Sequence, residues 1–81
     1  MELKPVTSSQ IHAIGYDPEK QQLRIQFFRY AKGSDPAPGP IYEYDGITPE
    51  QHAALIAAES IGKHFGANIK NNSAIKYRKI G

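Results

Sequence analysis

Alternating residues that give way to helical spacing mark this 81-residue chain as an α+β domain. The expected architecture is a three-stranded antiparallel meander, with room for a fourth edge strand, packed against two consecutive helices. Leu23, Ile25 and Phe27 recur at spacing two with Arg24 and Gln26 between them, the pattern of a half-buried strand. Within Pro40 to Gln51 the period then changes. Tyr42 and Tyr44 share one face of an extended segment, Glu43 and Asp45 share the other, and Gly46-Ile47-Thr48-Pro49 opens a helix.

Residues 1–7 are polar, contain Pro5 and lack periodicity, so they read as a flexible lead-in to a single domain over residues 8–80. Ile11 to Tyr16 forms the first strand and stops at Asp17-Pro18, a turn-initiating pair. The second strand runs from Leu23 to Tyr30, and the short connection between the two suits an antiparallel hairpin. Ala31 to Pro40 holds three prolines and two glycines and is expected to be a loop, because prolines cannot donate to a strand ladder. Ile41 to Asp45 is the third strand. Thr48 caps the first helix, with Gln51 completing a capping box and Pro49 at the first helical position; that helix extends to about Glu59. Ser60 caps a second helix in which Ile61, Phe65 and Ile69 fall on one side and Lys63 and Lys70 on the other, and Gly66 weakens it. Ile75 to Ile80 alternates again and supplies the candidate fourth edge strand, its lysines discouraging edge-to-edge pairing.

A chain of this size has interior enough for one core. The absence of cysteine excludes a disulfide framework and a thiolate metal site, which suits a reducing compartment, so a cytoplasmic location is expected. No stretch reads as a signal segment or approaches the ~20 apolar residues of a membrane span. The charge is unevenly distributed. Five cations and all eight acids lie at or before Glu59; from Ser60 onward Lys63, Lys70, Lys76, Arg78 and Lys79 stand with no acid among them. Such a segment attracts polyanions, although scattered surface cations also serve only to keep a chain soluble.

Two constellations are candidates for binding. Tyr42 and Tyr44, extended by Phe28 and Tyr30, could stack exposed bases, which is worth about 1–3 kcal/mol per base. Their alternation with Glu43 and Asp45 favours instead tyrosines facing the core and acids facing water. Ser60-Ile61-Gly62-Lys63 could seat a phosphate through a hydroxyl, a glycine amide and an ammonium. It is not a P-loop, because the upstream glycine is missing and His64 stands where Ser or Thr is needed. His12, His52 and His64 are scattered without ligand spacing, so no metal or other cofactor is expected. Glu43 and Asp45 share a strand face without a nucleophile or pocket marked around them, so no enzyme activity is expected either.

With these residues in view, the chain resembles the KTSC domain, a short domain at the C-terminal end of some lysyl-tRNA synthetases that also occurs as stand-alone bacterial and phage proteins. The resemblance rests on the order of several motifs: Ser8-x-x-Ile11 with Ile14-Gly15-Tyr16-Asp17, the Leu23/Ile25/Phe27 strand, Tyr42-x-Tyr44, Gly46-Ile47-Thr48-Pro49, Ala58-x-Ser60-x-Gly62-Lys63-x-Phe65, and Ile69-Lys70 with Tyr77-Arg78. The long segment before Tyr42 and the glycine at position 66 depart from it. By association and composition the resemblance implies an RNA-binding module without an established catalytic role.

The expected function is therefore a small non-enzymatic binding module for RNA or another nucleic acid. Lys63, Lys70, Lys76, Arg78, Lys79, Ser60 and Gly62 would meet phosphates, and Tyr42 and Tyr44 are candidates for base stacking. The alternative is a protein-interaction module whose basic segment meets an acidic protein partner.

Overall fold

Five strands lie in one antiparallel sheet in chain order, in a computed structural model that describes residues 2–33 and 35–81. They are β1 (Lys4–Pro5), β2 (Ile11–Asp17), β3 (Gln22–Arg29), β4 (Ala37–Tyr44) and β5 (Tyr77–Lys79). Helices α1 (Pro49–Ala57) and α2 (Ile61–Phe65), followed by a π-helical turn at Gly66–Lys70, form the connection from β4 to β5. The parts of the expected lead-in and loop that fall on Met1 and Ser34 lie outside the described residues.

The sheet is larger than the expected three or four strands. The expected fourth edge strand is present as β5, paired to β4 through Tyr42↔Lys79, Glu43↔Arg78 and Tyr44↔Tyr77. The fifth comes from the lead-in, where Lys4 pairs Ile14, Pro5 pairs Ala13 and the Val6 N–H donates to the His12 carbonyl at 3.1 Å. An outer strand tolerates Pro5 because its missing donor leaves no neighbouring strand unpaired.

The proline-rich segment is the main correction. Ala37 to Pro40 belongs to β4, with Phe28↔Pro38 and Arg29↔Ala37 in register and a shift between Gln26 and Phe28. That irregularity absorbs the missing proline donors, and the Gln26 side-chain amide donates to the Gly39 carbonyl at 3.2 Å. Gly39 is required by contact: a Cβ there would sit 2.9 Å from both the Arg29 nitrogen and the Phe27 oxygen. Gly39→Ala is accordingly expected to lose about 1–3 kcal/mol of unfolding free energy in urea denaturation. Gly66→Ala is expected to gain up to about 1 kcal/mol, because Gly66 has helical dihedrals and open space around it.

The helical connection forms where the sequence predicts it. The Gln51 N–H donates to Thr48 Oγ1 at 3.2 Å and the Thr48 N–H to Gln51 Oε1 at 2.8 Å, with Pro49 in the first turn. Ser60 Oγ accepts from the Lys63 N–H at 3.4 Å. At Gly66 the α-helix gives way to the π-turn, yet Ile61, Phe65 and Ile69 stay buried in one row. They close over Ile11, Ile14, Leu23 and Ile25 of the sheet, together with Ile47 and Leu55. Leu55 is the one residue of α1 that is fully withdrawn from water.

Candidate functional site

Opposed residues of an antiparallel pair share a sheet face, so the register sorts the last two strands into two sides. Tyr42, Tyr44, Tyr77 and Lys79 have register positions on the helix side, and Glu43 and Arg78 on the other. Tyr44 is 5% exposed, with its ring edge-on to Phe65 at 5.4 Å and stacked on Tyr77 at 5.7 Å. Burial, with Tyr42 and Tyr77 close by, pushes its hydroxyl up to about 12. Tyr42 is half-buried against Phe27. The core reading of the two tyrosines therefore fits Tyr44 and half of Tyr42. The ring presented to solvent is Tyr77, 64% exposed, which periodicity placed in the edge strand without distinguishing it from its neighbours. Phe28 does not extend this set; it packs with His12 and Tyr30 in a separate cluster.

These rings line a groove of about 530 Å³ between β4, β5 and the α2/π segment. Phe27, Tyr42, Tyr44, Phe65 and Tyr77 give it an aromatic lining, and Gln10, Lys70 and Asn71 add polar groups. A smaller cavity of about 290 Å³ adjoins it, with Ser60, Gly62 and Lys63 among its lining. The structure thus gathers Ser60, Gly62 and Lys63 at one place and Lys70 at the neighbouring one, while Lys79 opposes Tyr42 across the strand pair.

The remaining cations are placed differently. Glu43, expected to face water with Asp45, is 5% exposed. Arg24 and Arg78, directly in register on the flanking strands, close over it. Arg24 Nε donates to Glu43 Oε2 at 2.7 Å, and Arg78 reaches Glu43 Oε1 through Nη2 and Asp45 Oδ2 through Nη1, the latter at 2.9 Å. The Gln22 amide donates to Asp45 Oδ1 at 3.1 Å. The Arg24 hydrogen bond, aided by Arg78, holds the Glu43 carboxyl below its ordinary range despite burial. Arg78 and Gln22 do the same for Asp45, and Asp45 chiefly raises Arg78 in return. Arg78 is thus engaged by two acids of β4, where the charge pattern alone leaves it unpaired. Lys76 joins that side: its carbonyl accepts from the Asp45 N–H at 2.9 Å, and its charge helps lower Asp45. The five cations of the last third do not assemble into one surface.

Among the described residues, no helix is long and apolar enough to cross a membrane. The KTSC domain family model matches residues 7–72. An uncharacterized protein of Stutzerimonas stutzeri (strain A1501) is 36% identical over 63 residues, which cover 78% of this chain and 76% of that one. A protein of Tsukamurella paurometabola is 37% identical over 68 residues, covering 84% and 88%. The crystal structure of a KTSC domain protein from Yersinia pestis is similar over 99% of this chain and 97% of that one, with a TM-score of 0.78 and 35% sequence identity.

Proposed function

Because this chain belongs to the KTSC domain family, we propose that it is a small non-enzymatic module that binds single-stranded nucleic acid, RNA foremost, in its aromatic groove. The observation that carries this is the exposed Tyr77 ring, held against Tyr44 in a groove that also bears Lys70. An aromatic face accepts any base by stacking, and a nearby ammonium meets the backbone phosphate without reading sequence. The resemblance to a domain found at the end of some lysyl-tRNA synthetases supports this reading. A cytoplasmic location goes with this function. The cations assigned to the ligand are Lys63, Lys70 and Lys79; Lys76 and Arg78 are left to the acids of the opposite face.

Fluorescence anisotropy with a labelled single-stranded RNA at two salt concentrations tests the assignment. Three phosphate contacts predict a slope of log affinity against log salt of roughly −2. Tyr77→Ala should weaken binding about tenfold, and Lys70→Glu should both weaken it and flatten the slope. Binding indifferent to salt and to Tyr77→Ala would overturn the proposal. A labelled polyglutamate peptide that binds where RNA does not would assign the surface to an acidic protein partner instead.

A further inference from the structure

We infer that the ion-pair cluster on the far face of the sheet is the latch that holds the groove's outer wall in place, which makes Arg78 a positioning residue for the ligand and not a contact to it. This rests on the nucleic-acid reading of the groove and adds what keeps that site in its binding geometry. β5 is an outer strand, three residues long and exposed throughout, and it pairs with β4 alone. Successive residues of a strand point to opposite faces. Tyr77 accordingly lines the groove, while Arg78, the next residue, reaches Glu43 and Asp45 on the other side. Displacing one displaces the other.

Backbone hydrogen bonds close the two ends of this strand. The Asp45 N–H donates to the Lys76 carbonyl at 2.9 Å, and the Ile80 N–H to the Ile41 carbonyl at 2.8 Å. A short edge strand with its side chains in water opens at low cost, since few buried contacts are lost when it lifts. One guanidinium gripping two carboxylates of β4 opposes that opening, because charge-assisted hydrogen bonds are about twice as strong as neutral ones. Glu43 is the firmer anchor of the two. It is 5% exposed and is held from the other side by Arg24 Nε at 2.7 Å, so Arg78 is tied to a point in the sheet that does not travel with β5.

Amide hydrogen exchange of the ligand-free protein reads the latch by itself. In Arg78→Ala the Asp45 and Ile80 amides should exchange about tenfold faster, as the loss of charge-assisted hydrogen bonds requires. The Phe28 amide, which donates to the Gln10 carbonyl away from β5, should not change. Anisotropy with single-stranded RNA reads the consequence. Affinity should fall about fivefold in Arg78→Ala, in proportion to the fraction of molecules with β5 in place, with the salt slope unaltered. Lys79→Ala, one residue further along β5, should do the reverse: exchange stays as it was and the slope flattens by roughly 0.7. Arg78→Lys keeps a cation without the fork that reaches both acids, and should fall between the parent and Arg78→Ala. Unchanged exchange at Asp45 and Ile80, an equal rise at Phe28, or faster exchange with affinity intact would each overturn the latch. A flattened slope in Arg78→Ala would make it a phosphate contact and overturn the positioning role. If the parent protein binds no RNA, the reading of the groove falls, and the exchange rates alone decide whether Arg78 holds β5.

Discussion

Leu55→Ala is expected to lower the unfolding free energy by about 3 kcal/mol. Helix α1 is capped at Thr48 and rich in alanine, but Leu55 is the one buried residue among its nine. Truncating it removes the transfer energy of the side chain and leaves a hole in the core cluster that its neighbours fill only in part. Total stability for a chain of this size is on the order of 4–12 kcal/mol, so the loss is a large share of it. Ile56, 49% exposed in the same helix, is the control. Ile56→Ala should cost less than about 0.5 kcal/mol. Equal urea midpoints for the two variants would show that α1 is held by something other than this single anchor.

Glu43→Ala should cost about 2 kcal/mol. Breaking a buried ion pair from one side is worth roughly 3–5 kcal/mol, and the figure is lower here because the Arg24 and Arg78 side chains are 36% and 48% exposed and keep part of their hydration. With Glu43 gone, two guanidiniums on the strands flanking β4 face each other with no carboxylate between them. The pH dependence follows from the same contacts. Glu43 and Asp45 are held below ordinary values of 4.5 and 3.8, so the unfolded chain takes up their protons first as acid is added. Their contribution is fully present above the unfolded values and is lost as pH falls through the lower folded ones. Urea midpoints should therefore hold from neutral pH to about pH 5 and fall below about pH 4, with a flatter acid limb in Glu43→Ala. An acid limb identical in both proteins would remove Glu43 from the account.

Much of this fold is legible in local pattern. The Leu23/Ile25/Phe27 alternation and the Thr48/Gln51 box each state a local geometry that the tertiary structure uses without change, and the Ile61/Phe65/Ile69 row stays buried although the helix turns π-helical at Gly66. What local pattern misses depends on a neighbouring strand. Ala37 to Pro40 pairs only because β3 shifts register opposite it, and Lys4–Pro5 is a strand only because β2 offers an edge. Glu43 is buried by residues 19 and 35 positions away, whose register decides where its carboxylate goes. The same limit applies to the site. A run of cations without acids is visible in the sequence, but acids brought alongside by β4 divide it, pairing Arg78 and placing Lys76 near Asp45, while Lys63 and Lys70 stand beside the groove. Tyr77 is visible as an alternating residue of an edge strand; its exposure emerges only when the ring is seen against Tyr44.

Ligand entry between β5 and the α2/π segment is tested most directly by amide chemical-shift mapping during titration with a short single-stranded RNA. Perturbations should gather at Gln10, Gly62, Gly66, Lys70, Asn71 and Tyr77, with Gly15, Arg24 and Gln26 on the reverse of the sheet unmoved. Shifts centred on Arg24, Glu43 and Arg78, or none at all at saturating RNA, would contradict it.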